Sequence, residues 1–239
     1  MLSREALNNL SLFSRYFKPE EVKYLVEHQI PNKFYKMMWI HTVEKGRISK
    51  LDFYSVCAEY CFASARFQAA TRDVRLHFIQ NTVGKKALDY GGGSGDLSIM
   101  LAKRGFEVYY VDVDGVTSDF ADFRFKKLGL PIKYMPFFGN FVFHFEQLPI
   151  FDDIFCIDVI EHLDQQEQLG LLRCFNQHLT FGGRLFLTGP KTGGVFVFNE
   201  KAGVRDHPEH RGIKFDIAEY LCKQGFNRLG KGIWEKKKI

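Results

Sequence analysis

The stretch ALDYGGGSGDLSIMLAKRGFEVYYVDVDG, residues 87–115, decides the fold. A short and mostly apolar run at 86–90 leads into a cluster of glycines, which predicts a buried strand followed by a tight turn. Residues 96–103 carry apolar side chains at helical spacing and predict a helix. A second apolar run predicts a strand at about 107–112. The stretch therefore predicts a βαβ unit with a glycine-rich turn at the start of its helix.

The spacing of the glycines separates two kinds of ligand. A dinucleotide fingerprint needs a third glycine where this chain has Asp96, and an aspartate there would repel a pyrophosphate. Asp89, inside the first strand, suits a cationic group, and Asp112, at the end of the second strand, can accept hydrogen bonds from both ribose hydroxyls. The pattern indicates a cationic nucleoside that lacks phosphate.

Several blocks in this chain resemble the class I S-adenosylmethionine (SAM)-dependent methyltransferases. DYGGGSG at 89–95 resembles motif I, and YVDVD at 110–114 resembles the ribose-binding segment. FDDIFCIDVIEHL at 151–163 resembles the fourth strand and following helix of the quinone-biosynthesis branch. The blocks at 181–187 and 210–226 resemble the turn into strand five and the last helix. All of them stand in the family's order.

The resemblance implies an α/β fold: a Rossmann-like, seven-stranded methyltransferase sheet with helices on both faces, plus a helical N-terminal cap. Residues 1–82 would form the cap, and residues 83–239 the SAM-binding domain. The expected strands are at about 86–90, 107–112, 132–136, 153–158, 184–189, 226–229 and 232–236. The cap would cover the carboxyl ends of the strands, where ligands bind in open α/β sheets, and would serve the methyl acceptor more than the cofactor.

Helix signals support the cap. Pro19-Glu20-Glu21 predicts a helix start. Ser49 and Asp52 resemble a capping box before a helix at 51–67.

The resemblance also implies which residues contact the cofactor: Arg75, Asp89, Gly91, Gly93, Gly95, Asp112, Val113, Glu146 and Asp158. Asp89 would anchor the SAM amino group directly or through water, although a buried acid satisfied by nearby backbone amides is the alternative. Arg75 would reach the SAM carboxylate, or else be a surface arginine. His144 stands where the family usually has the acid that holds adenine, so Glu146 or a backbone carbonyl would take that role, with Phe145 against the ring.

Methyl transfer to a hydroxyl benefits from a general base. His162 follows strand four at the rim of the expected pocket and is the first candidate. His207 and His210 come next, and the alternative for all three is a structural or solvated role. Asp158, Glu161 and His162 also form an acid-x-x-Glu-His pattern that binds a divalent ion in some relatives but also occurs in metal-free ones, so we predict no metal.

The composition limits the class of protein and the partners to be expected, but it does not identify the function. The net charge is +5 and no basic stripe is present, so no nucleic-acid partner is expected. The five cysteines lack metal-ligand spacing, and no run is long enough for a membrane span, which predicts a cytoplasmic protein. The function indicated is SAM-dependent methylation of a small molecule, possibly apolar or aromatic. An RNA or protein methyltransferase, a SAM-binding protein that does not methylate, and a homodimer stay open.

Overall fold

The computed structural model describes residues 30–137, 145–189 and 215–238. In these ranges the chain forms eight α-helices and seven β-strands. The helix predicted at Pro19 lies outside the described residues, as do His144, His207 and His210.

The elements have the following bounds. The helices are α1 (Ile30–Thr42), α2 (Lys50–Val56), α3 (Ala58–Ala70), α4 (Arg72–Gln80), α5 (Asp96–Ala102), α6 (Val116–Lys127), α7 (Gln165–His178) and α8 (Ile217–Lys223). The strands are β1 (Lys86–Tyr90), β2 (Glu107–Val113), β3 (Lys133–Phe137), β4 (Phe151–Cys156), β5 (Leu179–Leu187), β6 (Phe226–Gly230) and β7 (Ile233–Lys236). Two single-turn 3₁₀ helices, Phe145–Gln147 and Ile160–His162, flank β4.

The seven strands form one sheet in the order β3-β2-β1-β4-β5-β7-β6. The first five are parallel, and β7 runs antiparallel to both of its neighbours. This confirms the predicted Rossmann-like sheet. The strand order reverses between β1 and β4, and the carboxyl ends of these two strands form the crevice where such sheets bind ligands.

Helices cover both faces of the sheet, as predicted. On one face, Phe78 of α4 and Leu97 of α5 pack with Val108 and Phe155 of the strands. On the other face, α7 and α8 pack against the alternate side chains of β1, β4 and β5. Each strand of the centre is therefore buried on both sides, which explains its nearly continuous apolar sequence.

The predicted capping box is present, but the helix after it is shorter than expected. The hydroxyl oxygen of Ser49 accepts the N–H of Asp52 at 3.0 Å, and Asp52 accepts the N–H of Ser49 at 3.3 Å. The predicted helix at 51–67 is interrupted at Cys57, whose ψ of 96° is not helical. Cys57 is buried beside Phe53 in the core shared with the sheet, so tertiary packing overrides helix propensity here.

The fourth helix packs as part of the sheet's helical layer. Phe78 and Ile79 are buried against Leu101 of α5 and Ala87 of β1. We therefore propose that the cap consists of α1–α3 and ends near Thr71, before the boundary at residue 82 that the sequence indicated.

Candidate active site

The glycine-rich turn after β1 keeps its backbone N–H groups inside the protein. Gly91, Gly93 and Gly95 have φ values of 69°, 56° and 81°, a region that favours glycine. The N–H groups donate as follows: Gly91 to Val111 O (2.7 Å), Gly93 to Asp112 Oδ2 (2.6 Å) and Gly95 to Gly92 O (3.0 Å). A phosphate-binding turn points such groups at its ligand. This turn therefore suits a nucleoside without phosphate.

At these three positions, close packing also leaves no room for a side chain larger than that of glycine. A Cβ at Gly91 would lie 2.3 Å from Val159, and one at Gly93 would lie 2.3 Å from Gln68. A Cβ at Gly95 would lie 2.6 Å from the Phe125 ring. In addition to the positive φ, contact with protein side chains explains why glycine stands at these positions.

Asp96 is not a free charge in this site. Both of its carboxylate oxygens accept from Arg124, at 2.9 and 3.1 Å, and the arginine is 1 % exposed. Burial acts to raise the pKa of Asp96, but the ion pair with Arg124 outweighs it and holds the pKa below its ordinary value. Because Arg124 neutralises Asp96, the aspartate would not repel a pyrophosphate as the sequence predicted. The turn disfavours a phosphate ligand for another reason: its N–H groups already donate to acceptors within the protein.

Asp112 is the last residue but one of β2 and contacts the glycine turn. Its two oxygens accept the N–H groups of Gly93 and Val113, each at 2.6 Å. Burial raises its pKa to about 6, and these two hydrogen bonds act against that rise. A carboxylate has about four acceptor positions, so Asp112 retains capacity for ribose hydroxyls. Val113 is buried and contributes its backbone to this arrangement.

Asp89 lies under the turn, 4 % exposed, and accepts the hydroxyl of Ser98 at 2.7 Å. Burial raises its pKa to about 6, and the attraction of Arg75 acts in the opposite direction. Ser98 of α5 thus supplies a partner that a buried structural acid needs, which supports the structural alternative for Asp89.

Arg75 is 3 % exposed, which excludes the surface alternative. Its Nη1 donates to the backbone oxygens of Gln68 and Thr71 at 3.3 and 3.4 Å, and to the Thr71 hydroxyl. Arg75 therefore caps the carboxyl end of α3. Burial lowers its pKa, while the charges of Asp158 and Asp89, among others, act to raise it.

Asp158 follows β4 and has a φ of 57°, the one positive φ of a non-glycine residue among those described. Its Oδ1 accepts the Thr188 hydroxyl at 2.8 Å, whereas its buried Oδ2 has no hydrogen-bond partner within the described ranges. Burial raises the pKa of Asp158, and Arg75 acts against the rise. A strained backbone and an acceptor without a donor are features of ligand sites. The left-handed backbone at Asp158 is incompatible with an extended strand, so β4 ends at Cys156 and not at residue 158 as predicted.

His162 contacts Tyr54 of the cap. The half-buried His162 lies in the 3₁₀ turn after β4, and its Nδ1 is 3.0 Å from the Tyr54 hydroxyl of α2. The two rings pack edge to face at 5.9 Å, and Tyr60 lies 4.8 Å from Tyr54. The described residues contain no cluster of three or more His, Cys, Asp or Glu side chains suited to a metal ion.

Residues 145–147, the part of the predicted adenine-binding segment that the structure describes, form a 3₁₀ turn whose Phe145 packs in the core. Glu146 is exposed in the 3₁₀ turn before β4. Phe145 is 4 % exposed and stacks on Tyr90 at 5.6 Å, with Phe175 at its edge. Because this ring belongs to the core, it is not positioned to pack on a ligand, contrary to the expectation from sequence.

Sequence reasoning missed one residue that joins the cap to the glycine turn, and two beneath it. Gln68 of α3 hydrogen-bonds the turn, Arg124 neutralises Asp96, and the Tyr110 hydroxyl donates to Gly93 O at 2.6 Å. Gln68 and Arg124 belong to no short motif and reach the turn from distant parts of the chain. Tyr110 stands in the YVDVD block, but the pattern there drew attention only to Asp112 and Val113.

The sheet order and a glycine turn without phosphate donors, beside an acid that ends β2, define the class I methyltransferase fold. The chain belongs to the methyltransferase domain family, whose model matches residues 62–225. SAM is the cofactor, and the chemistry of the residues around the turn fits it: Asp112 keeps acceptor positions that a ribose would need, and Asp89 and Asp158 are carboxylates of the kind that a cationic ligand would need. No described helix is long and apolar enough to cross a membrane.

Curated relatives include a ubiquinone biosynthesis O-methyltransferase from Aeromonas salmonicida, 26 % identical over 163 residues, which cover 64 % of this chain and 67 % of the relative. The protein of that name from Proteus mirabilis is 27 % identical over 153 residues, 61 % of this chain and 60 % of the relative. The chain thus spans about 60 to 67 % of these two relatives.

Solved structures share the fold at low identity. An O-methyltransferase family protein from Burkholderia thailandensis superposes with a TM-score of 0.56 at 15 % identity, over 75 % of this chain and 59 % of that one. A SAM-dependent methyltransferase from Archaeoglobus fulgidus gives 0.55 at 17 % identity, over 70 % and 74 % of the two chains.

Proposed function

We propose that this protein transfers the methyl group of SAM to a hydroxyl oxygen of a small aromatic acceptor, with His162 as general base. One observation carries the proposal: the contact between His162, at the carboxyl end of β4, and Tyr54 of the cap. This contact puts a titratable group and aromatic side chains together beside the cofactor crevice. The curated relatives named as O-methyltransferases support the choice of oxygen.

The residues would divide the work as follows. Asp112 holds the ribose hydroxyls, while Asp89 and Asp158 face the positive charge of the methionine part and Arg75 its carboxylate. SAM supplies the activated methyl group. This base role requires the tautomer in which Nδ1 of His162 carries the hydrogen and donates it to Tyr54 Oη. Nε2 would then take the proton of the acceptor hydroxyl as the new oxygen–carbon bond forms and the carbon–sulfur bond breaks.

The cap would close the acceptor site and exclude water. Besides Tyr54, α2 is attached through Lys50, whose Nζ lies 2.6 Å from Glu167 Oε2 of α7. Lys50 and Tyr54 are one helical turn apart, so the same side of α2 rests on the segment that carries His162. Tyr60, half-buried beside Tyr54, would offer an aromatic face that favours a flat apolar acceptor.

The test is release of S-adenosylhomocysteine on incubation with phenols, using 3,4-dihydroxybenzoate as the first probe and amines and thiols of similar size as comparisons. We expect turnover with the phenols. His162→Ala should lower the maximal rate by about 10²–10⁴-fold and leave the dissociation constant of SAM within about twofold.

His77→Ala is the matched control, because His77 is exposed on α4 and outside the site. Full activity of His162→Ala with a phenol would remove the base role. Turnover with RNA or protein, and with none of the small molecules, would contradict the proposed acceptor class.

A further inference from the structure

One side chain of the cap, Gln68 of α3, makes three hydrogen bonds to the glycine turn and to the first residue of α5. Its Nε2 donates to Gly92 O at 3.0 Å. Its Oε1 accepts the hydroxyl of Ser94 at 3.0 Å and the N–H of Asp96 at 3.2 Å. The residue is 8 % exposed, so these bonds are shielded from water.

The partners fix the orientation of the amide. A carbonyl oxygen requires the NH₂ group, and a backbone N–H requires the amide oxygen. Gln68 therefore satisfies three groups at once: the carbonyl oxygen of Gly92, the hydroxyl of Ser94 and the N–H of Asp96. No aliphatic side chain can replace this pattern.

The fit is also steric. A Cβ at Gly93 would lie 2.3 Å from Gln68 Nε2 and 2.8 Å from Ser64 Oγ, both on α3. On the other side, Gly93 donates to Asp112 and accepts from Tyr110. The turn is thus held between the cap and the end of β2.

The backbone of Gln68 links the same helix end to a predicted cofactor contact. Its carbonyl oxygen accepts Nη1 of Arg75 at 3.3 Å. A shift of α3 would therefore move the acceptors that orient Arg75 and release the turn above Asp112. Both regions belong to the cofactor site that the sequence predicts.

We propose that Gln68 is a positioning residue for SAM, through which docking of the N-terminal cap and binding of the cofactor are coupled. The side chain holds the glycine turn in the shape in which Gly93 donates its N–H to Asp112. Because coupling is reciprocal, bound cofactor holds α3 against the turn as strongly as docked α3 favours the cofactor. The proposal concerns cofactor binding and does not depend on the identity of the acceptor.

The first experiment measures SAM and S-adenosylhomocysteine binding by calorimetry for the full chain and for Gln68→Met. Methionine keeps the length and the helix propensity of glutamine but cannot make the three hydrogen bonds. We expect binding of both molecules to weaken by roughly tenfold or more, about 1.4 kcal/mol, at a temperature where the variant is folded.

Gln80→Met is the matched control: it makes the same chemical change at an exposed position of α4 and should bind like wild type. A merely structural role would lower the melting temperature of Gln68→Met while leaving the affinity of the folded variant unchanged. That result would overturn the proposal.

The second experiment uses the unmodified protein, so it holds even if the variant does not fold. Amide hydrogen exchange is followed in residues 58–70 and 91–95 with and without S-adenosylhomocysteine. We expect both segments to become more protected when it binds. Protection of 91–95 with unchanged exchange in 58–70 would show that the cap is not coupled to the cofactor.

Discussion

Asp89 and Asp112, the two acids that we propose as cofactor contacts, are also expected to change their protonation near neutral pH. Both lie beneath the glycine turn, and burial raises the pKa of each to about 6. Ionised Asp89 would face the positive charge of SAM, and ionised Asp112 would accept hydrogen bonds from the ribose hydroxyls. Burial disfavours the charged state of both acids, and these contacts with the ligand would offset that cost.

We expect SAM affinity to fall as the pH drops from 7 to 5, because both carboxylates become protonated in this interval. Each group should contribute roughly a tenfold loss. Calorimetry across this range measures the effect, and Asp112→Asn should show a shallower pH dependence along with weaker binding at pH 7. An affinity that does not change between pH 7 and pH 5 would show that neither charge is used.

The stability of the unliganded protein should respond in the opposite direction. A carboxyl whose pKa is raised on folding binds more protons in the folded than in the unfolded state between about pH 4 and 6. These two groups therefore destabilise the protein above pH 6, and that cost is relieved as the pH falls. Asp153, at the start of β4, has a pKa of about 6 for the same reason and adds to this effect.

At the scale of elements, the position of α2 depends on one glycine. A Cβ at Gly115, at the start of α6, would lie 2.2 Å from the backbone oxygen of Ser55 and 2.3 Å from its Cα. Backbone atoms cannot rotate away as a flexible side chain can, so a methyl group here has to displace the cap helix. Tyr54, the neighbour of Ser55, would move with it.

Gly115→Ala should therefore destabilise the protein by about 1–3 kcal/mol from overpacking, in addition to backbone strain at its φ of 146°. Denaturant unfolding measures the loss, and amide exchange in residues 50–56 should increase. Gly105→Ala is the control: its φ is 80° and nothing lies within 4 Å of the added methyl group. Equal losses in the two variants would show that strain alone matters and that α2 does not move.

At the scale of the molecule, the cap and the sheet share one core. Trp39 and Phe53 of the cap belong to the same buried cluster as Leu88 of β1, Ile154 of β4 and Trp234 of β7. Residues of the two parts thus remove apolar surface from water together, so neither can lose its contacts without exposing the other. This argues for a single cooperative unit.

The two tryptophans of the chain test this, since one lies in the cap and the other in the sheet. In Trp234→Phe the remaining fluorescence reports on the cap, and in Trp39→Phe it reports on β7. Within each variant, we expect the fluorescence midpoint in denaturant to coincide with the midpoint of far-UV circular dichroism. An earlier fluorescence transition in Trp234→Phe would reveal a cap that unfolds first.

The sequence by itself determined the central fold and the class of ligand. Alternation of apolar runs with helical spacing after residue 86 specifies a parallel sheet, and the glycine turn and Asp112 are consecutive elements of one βαβ unit. Local patterns are enough for such features, because the interacting residues are close in the chain. The capping box at Ser49 was predictable for the same reason, through hydrogen bonds that span three residues.

Only the tertiary structure decided how the site is completed. Gln68 and Tyr54 reach the turn and His162 across separations of 24 and 108 residues, and no local pattern encodes those contacts. The break at Cys57, the ion pair that neutralises Asp96 and the burial of Phe145 likewise depend on which surfaces meet when the sheet and helices pack. Burial also sets the pKa of Asp89 and Asp112, because desolvation is a property of the folded molecule and not of the residue.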